Sequence, residues 1–471
     1  MKVIFFVVVA IWMCITTGKN LAEAAEKVPE FGSVKDLFDA DAPLKIEQVS
    51  YEKQNEEIVQ SVFFPGKQMV KVSLKFTSQV YRGVTAVHDA EIWLPESGVD
   101  SKQGGIAAII LGKADAADAE HDWVEHVVLG LGVPCMVVTQ AFKAAQFGAK
   151  NPGHLMSMGS RTFVKTGDVR EYGYYALARI VSAAATVAEH LPEVKAKRFV
   201  VSGSSKGGMA VLIACAGDSR IVGCYPTAWN SGNLYAYTLL KGERWGWGMK
   251  PKETGPAGDA AGKTMALLES VRGQEIVRLF DPNSWGDLLQ DKFVMPAVGT
   301  NDRLFHVLSD QHYFDGLKGR KAFLRLPNEG HGRKAPLHAK GWRFAVAAGL
   351  LGRPIPSVRI RSEERGDAIA VYAAVQMGGK PGELTLWTTQ DASGDYRKAK
   401  WMASKQVVIS KSDESIHLAD LPKPESGVTA FFVLLEEQEG VGHAVISSNI
   451  VEVGKPVRYE RPSKIAQKGP E

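Results

Sequence analysis

Gly203-Ser204-Ser205-Lys206-Gly207, followed by Gly208, sets a serine between glycines. The pattern lies between an apolar run, Arg198-Phe199-Val200-Val201-Ser202, and a helix-like run ending near Ala216. G-x-S-x-G between a strand and a helix is the context of a nucleophile elbow, which lifts a serine hydroxyl clear of the chain. A strained turn needs small neighbours, and Gly203, Gly207 and Gly208 supply them. The helix that starts here aims N–H groups and its positive end at the reacting centre, so the Lys206 N–H is a candidate oxyanion donor. Ser204 is the competing serine, but it occupies the x position and should point away from the tip. An inert serine in a glycine-rich turn is the bland alternative, and the correct flank on both sides favours the elbow.

A serine hydroxyl at its ordinary pKa is a poor nucleophile and needs a base. The chain offers eleven histidines. On scaffolds with this elbow the acid comes next in the chain and the histidine last, after the final core strand. His331 fits, in Pro327-Asn328-Glu329-Gly330-His331-Gly332 after the strand-like Phe323-Leu324-Arg325-Leu326. His306, His312 and His338 are the alternatives; His312 and His338 fall in helical runs and His306 precedes the last strand. Asp302 ends Gly299-Thr300-Asn301-Asp302 after the strand-like Val294 to Val298, where it could hold the His331 ring. Asp310 and Glu329 are its rivals, and Glu329 is too near His331 in sequence to reach round to its ring. Gly112 or Lys113, after the apolar run Ile106 to Leu111, is the candidate for a second oxyanion donor. His121 and His126 are five apart and do not share a helix face, no cysteine pair has zinc spacing, and no P-loop occurs. No metal or nucleotide cofactor is indicated.

The elements that must position these groups follow a rhythm. Met69 to Trp93 reads as β structure. Ile106–Leu111 and Pro134–Thr139 are short apolar runs, as in strands buried on both faces. Helix-like stretches run from His121 to Leu131, from 171 to 191, from Ser205 to Ala216, from Asp310 to Leu317 and from Pro336 to Leu351. Between them lie strand-like Arg198–Ser202, Ile221–Tyr225, Phe293–Val298 and Ala322–Leu326. Alternation of this kind predicts a mostly parallel sheet with helices on both faces, an α/β-hydrolase fold over 40–354. The rhythm breaks between 227 and 283, a cap or insertion whose Trp229, Trp245 and Trp247 either line a pocket or pack it onto the body. From 355 to 458 short strand-like runs with turns between them predict a C-terminal β-sandwich. The residues from Lys455 are basic and polar, and 459–471 is expected to be a mobile tail.

At 471 residues the chain is long enough for two domains, and a net charge of +4 predicts no particular attraction to nucleic acid or anionic membranes. Residues 1–24 read as a cleaved secretory signal: Met1-Lys2, an apolar stretch from Val3 to Thr17, then Ala22-Glu23-Ala24. The apolar stretch is shorter than the roughly 20 residues that span a bilayer, so an exported, periplasmic or secreted protein is expected. Cys14 follows bulky Trp12 and Met13, which does not suit a lipidation site. Cys135, Cys215 and Cys224 remain, an odd number that suggests buried free thiols over a disulfide framework.

Taken together these motifs resemble the PhoPQ-activated pathogenicity-related proteins. The likeness rests on Ser205-Lys206-x-Gly208, Thr166-Gly167-Asp168, Gly299 to Phe305, and Leu326-Pro327-Asn328-Glu329-Gly330-His331. Leu386-Trp387, Asp395-Tyr396-Arg397 and Trp401 are similar to the family's C-terminal β domain, so the resemblance covers roughly 40 to 440. It departs at Met209, where the family usually has tryptophan, and at Gly207, where it usually has a larger residue. The resemblance implies an exported α/β hydrolase and leaves the substrate open.

Three readings of function follow. In the first, a serine hydrolase cleaves an ester or amide of a small molecule or peptide through Ser205, His331 and Asp302. The second is a non-catalytic secreted binding or signalling protein on a hydrolase scaffold; the presence of all three triad candidates ranks it lower. In the third the C-terminal sandwich binds carbohydrate through Trp387, Tyr396 and Trp401, which would need these aromatics exposed.

Overall fold

The computed structural model describes residues 30–98, 105–112, 117–139, 141, 143–247, 261–332, 336–438, 440 and 442–462. The expected signal segment 1–24 with Cys14, Lys113, and 463–471 lie outside the described residues.

Helix α1 (Val34–Asp41) precedes three antiparallel strands, β1 (Tyr51–Gln60), β2 (Gln68–Tyr81) and β3 (Val84–Pro95). Then the chain alternates: β4 (Ile106–Leu111), α2 (Ala117–Leu131), β5 (Cys135–Val138), α3 (Pro152–Thr166), α4 (Gly173–His190), β6 (Arg198–Ser204), α5 (Lys206–Gly217) and β7 (Ile221–Thr227). Among the described residues α6 (Leu234–Trp245), α7 (Ala261–Leu268) and α8 (Val271–Phe280) follow. The sheet is completed by β8 (Phe293–Val294), β9 (Ala297–Gly299), β10 (Arg320–Lys321) and β11 (Leu324–Leu326), and α9 (Leu337–Leu350) closes this part. Pro296, which has no N–H to give a ladder, separates β8 from β9.

The sheet order is β1-β2-β3-β5-β4-β6-β7, then β8 with β9, then β10 with β11. Every pairing from β5 onward is parallel. Period-two alternation feeds two cores. Ala107, Ile109 and Leu111 of β4 pack on the side of α4 and α5, while Ile106, Ala108 and Ile110 pack on the side of α2 and α9. All six β4 residues are therefore buried, which is why the strand is an unbroken apolar run. Each fully buried Ile or Leu contributes about 1.5–3 kcal/mol. The arrangement is an α/β-hydrolase fold.

The residues expected to form a cap supply α6, α7 and α8. Trp229 is buried against Tyr313 and so fixes the insertion to the body, whereas Trp247 packs with Ala261 and Met265 inside the insertion. The helix expected from Asp310 to Leu317 is a correction: only the 3₁₀ turn Ser309–His312 forms. The Lys321 ammonium donates to the carbonyls of Phe314, Asp315 and Leu317, satisfying groups that would otherwise continue a helix.

The C-terminal part holds β12 (Ser357–Arg365), β13 (Ala368–Gln376), β14 (Gly382–Asp391), β15 (Met402–Ile409), β16 (Asp413–Pro422), β17 (Val428–Glu437), β18 (Val445–Ser447) and β19 (Val451–Gly454). They form two antiparallel sheets, β12-β13-β16 and β15-β14-β17 with β18 and β19. Nine of the ten residues of β17 are buried, because both faces are covered. Phe431, Val433 and Leu435 face the core shared with β12 and β13. Val428, Ala430 and Phe432 join Val298, Val307, Leu308 and Phe323 of the hydrolase body in a separate cluster. Lys455 N–H and Val457 N–H bond to Gly427 and Ser393, Tyr459 N–H donates to Glu243, and Arg461 pairs with Glu269. The expected tail is therefore tied down as far as Arg461.

Candidate active site

β6 ends at Ser204 and α5 begins at Lys206, so Ser205 alone makes the turn, at φ 57° and ψ −115°. A non-glycine residue there stores strain of about 1–3 kcal/mol. The Ser205 N–H donates to Thr227 O of neighbouring β7 at 2.8 Å, which holds the turn. A Cβ on Gly203 would lie 2.6 Å from Gly207 O, and one on Gly208 would lie 2.9 Å from Trp229 Cβ. Glycine is required at both. A Cβ on Gly207 would meet only Leu111 Cδ2 at 3.5 Å, ordinary contact. The expectation that all three glycines are sterically needed is therefore corrected at Gly207. Ser204 is buried and Ser205 is half-exposed.

His331 and Asp302 reach this turn from two loops at the end of β9 and β11. These strands pair in parallel, Leu326 opposite Gly299, so their loops leave the sheet side by side. The histidine loop crosses so closely that a Cβ on Gly299 would lie 2.2 Å from Glu329 O. Asn301 N–H donates to Glu329 O at 3.0 Å, and Asn328 N–H donates to Thr300 Oγ1 at 2.8 Å. Asn328 itself sits at φ 58°, a left-handed conformation that asparagine tolerates.

The three side chains converge. His331 Nε2 lies 2.9 Å from Ser205 Oγ, and His331 Nδ1 lies 2.9 and 3.1 Å from the two oxygens of Asp302. A carboxylate only accepts, so Nδ1 carries the proton and Nε2 is left to accept from the serine hydroxyl. Asp302 is 3% exposed. It also accepts the N–H groups of Leu304 and Phe305, at 2.7 and 3.1 Å, which fix its orientation. The Phe305 ring stacks beside His331, centroids 5.9 Å apart.

The rivals are occupied elsewhere. Asp310 forms a buried ion pair with Arg325 at 2.5 Å, and Arg325 also donates to Val307 O and Ser448 O. His306 is fully buried and bonded to Gly394 O; burial and the Arg244 charge push its pKa down to about 3. His338 is buried beside Tyr225, and His312 is exposed on the 3₁₀ turn. Glu329 contributes its carbonyl to Asn301 and does not face the His331 Nδ1.

Lys206 N–H is the first of α5, where helix N–H groups lack intrahelical acceptors. Gly112 is corrected as a second donor: its N–H already donates to Val138 O at 2.9 Å. Lys113 follows it, outside the described residues.

Sequence reasoning missed the contribution of the C-terminal part. Asn328 Nδ2 donates to Trp401 O at 2.9 Å while Trp401 N–H donates back to Asn328 Oδ1 at 2.8 Å. Asn301 Nδ2 donates to Tyr396 O and Ala399 O, at 3.1 and 2.6 Å. Both triad loops are thus held by one segment between β14 and β15. The asparagine two residues after Gly299 and the one three residues before His331 were the available signals. Tyr396 and Trp401 are 1% exposed and pack with Phe432, and Trp387 packs against the same cluster. Their role is to join the two parts, which removes the basis for a carbohydrate surface. Cys135, Cys215 and Cys224 are buried and form no disulfide among the described residues.

The model of the PhoPQ-activated pathogenicity-related protein family matches residues 52–397. The chain belongs to this family. The matched span starts in β1 and ends in the segment that carries Tyr396. Among curated proteins none matches. Of solved structures, the chain is similar to an acetyl xylan esterase from Paenibacillus sp. R4, at 16% identity over 70% of this chain and 99% of that one, TM-score 0.46. It is also similar to acetyl xylan esterase 1 from Thermoanaerobacterium sp. JW/SL YS485, at 15% identity over 68% and 94%, TM-score 0.43. A glucuronoyl esterase from Teredinibacter turnerae T7901 has 16% identity over 63% and 76%, TM-score 0.40. The room at Gly207 fits the larger residue usual there in the family, and Met209 is buried where the family usually has tryptophan.

Proposed function

We propose that this family member is an exported serine hydrolase that cleaves an ester or amide through an acyl-enzyme on Ser205. The observation that carries the reading is the hydrogen-bonded series Ser205 Oγ, His331 Nε2, His331 Nδ1, Asp302 on a strained turn. In the first step His331 takes the Ser205 proton as Oγ bonds to the carbonyl carbon. Asp302 keeps the ring oriented and stabilises the imidazolium. The Lys206 N–H, with Lys113 as the second candidate, binds the oxyanion that develops. The C–O or C–N bond then breaks, and His331 gives its proton to the leaving group. Water, deprotonated by His331, hydrolyses the acyl-enzyme and restores Ser205. Export rests on the charged, apolar and small-residue order of residues 1–24.

The test is labelling of the mature protein with a fluorophosphonate. Wild type should label, and Ser205→Ala and His331→Ala should not. Folded wild-type protein that stays unlabelled would favour the non-catalytic binding reading.

A further inference from the structure

The carboxylate of Asp302 is held by its own loop. One oxygen accepts the N–H groups of Leu304 and Phe305, two and three residues on. The carboxylate therefore moves with that short turn, and whatever fixes the turn fixes the acid. Two contacts from helix α6 do so. The Tyr237 hydroxyl donates to Leu304 O at 2.7 Å, and the Tyr237 ring meets the Phe305 ring with centroids 5.7 Å apart and planes 34° apart. On its other side Phe305 stacks on His331 at 5.9 Å and 28°. One tyrosine thus reaches the acid through a backbone carbonyl and the histidine through an intervening ring.

A phenylalanine would make the ring contact as well, so the hydroxyl is the specific part. Burial, with the Asp302 charge behind it, raises the Tyr237 phenol well above its ordinary pKa, so it stays a donor at neutral pH.

A side chain can position another only if its own element is fixed, and α6 is fixed at both ends. The Leu234 N–H, in its first turn, donates to Asp281 at 2.8 Å. In its last turn Arg244 pairs with Glu452 of β19 at 2.8 Å, Trp245 Nε1 donates to Asp395 O at 3.2 Å, and Glu243 O accepts the Tyr459 N–H at 2.8 Å. The insertion is pinned to the body at one end of this helix and to the C-terminal part at the other, with Tyr237 between them.

We propose that Tyr237 is a positioning residue for the triad, and that the insertion sets the alignment of Asp302 and His331 through it. This inference rests on the hydrolase reading and adds to it a dependence of the site on α6.

The test measures fluorophosphonate labelling rate, kcat and KM on 4-nitrophenyl acetate, and melting temperature, for the full mature chain. Tyr237→Phe removes only the hydroxyl and should lower labelling and kcat about three- to tenfold, the range of one hydrogen bond, with KM little changed. Phe305→Leu keeps the N–H given to Asp302 and removes the ring between Tyr237 and His331; it should lower both about tenfold, and it carries the test should Tyr237→Phe not fold. Thr238→Ala is the control for a merely structural role. Thr238 is buried on the same helix, and its hydroxyl bonds to Leu234 O; its loss should lower the melting temperature and leave the labelling rate of the folded protein unchanged. Wild-type labelling with unchanged rates in Tyr237→Phe and Phe305→Leu overturns the positioning role and leaves the hydrolase standing. So does a rise in KM with kcat unchanged, which would make Tyr237 a substrate contact, or an equal loss of labelling in Thr238→Ala. Folded wild-type protein that neither labels nor hydrolyses the ester overturns both.

Discussion

Asn328→Ala tests whether the C-terminal segment holds His331 in place. The substitution removes two hydrogen bonds to Trp401 and leaves alanine at φ 58°. Each bond contributes about 0.5–1.5 kcal/mol, and alanine in the left-handed region costs roughly 1–2 kcal/mol. The sum is about 2–5 kcal/mol, all of it acting on the loop that carries His331 three residues later. Because Asn328 is itself exposed, the lower end is the better guide. About 2 kcal/mol acting on loop position corresponds to roughly a thirtyfold loss of the productive His331 arrangement. The assay is the rate constant for fluorophosphonate labelling, read with kcat and KM on a short ester, and thermal denaturation alongside. Labelling and kcat should fall about ten- to a hundredfold with KM little changed. Asn328→Gly relieves the backbone but not the bonds, so it should fall between wild type and Asn328→Ala. Asn328→Asp keeps the acceptor for the Trp401 N–H and should lose least. A fall in melting temperature with an unchanged labelling rate would refute the positioning argument, because the bonds would then serve the fold and not the histidine.

Two glycines of the elbow should respond differently. Gly208→Ala pushes a methyl into Trp229 and Thr227 and should abolish labelling or folding, whereas Gly207→Ala meets only Leu111 and should label at near the wild-type rate; equal loss in both would contradict the packing. Asp281 is buried, and burial raises its carboxyl to about 7 although it accepts the N–H groups of Leu234 and Asn283. Its folded pKa lies above the unfolded value, so between about pH 4 and 7 the folded state holds a proton that the unfolded state has lost. Its contribution therefore makes stability fall as pH rises through that window, by at most about 1.4 kcal/mol per pH step of one, and level off above it. Asp281→Asn should flatten that slope in denaturant titrations from about pH 4 to 7; an unchanged slope would show that Asp281 is ionised throughout.

The parallel sheet was legible because strands buried on both faces are written as unbroken apolar runs, and Ile106–Leu111 and Arg198–Ser202 show it plainly. β1 was not legible, since its burial pattern is almost wholly exposed and a strand of polar residues carries no apolar signal. Helix α3 was missed for a similar reason: it buries only Leu155, Met156, Gly159 and Phe163. The meeting of Ser205, His331 and Asp302 could be anticipated from chain order, because each ends a strand of one sheet. The fate of the Gly112 N–H could not, because a one-residue difference in where β4 stops pairing decides whether that group faces Val138 or the cleft. Nor could the pairing of Asn301 and Asn328 with a segment some seventy to a hundred residues later, which depends on a docking that leaves no local trace.

That docking changes what the C-terminal sheets are for. Ser447 N–H bonds to Phe323 O, and Arg325 N–H bonds to Ser447 Oγ, so β18 lies along the last strand of the hydrolase sheet and covers its edge. β17 then turns one face to the sandwich and the other to Val298, Val307 and Phe323, the residues flanking the acid loop and the last strand. The segment between β14 and β15 completes the arrangement, binding Asn301 and Asn328 through its carbonyls and placing Arg397 at Trp245. A chain cut after α9 would lose the cover on the sheet edge and the hold on both triad loops at once. The C-terminal sheets are on this account a wall of the candidate site, and the proposed chemistry calls on the whole chain from β1 to β19.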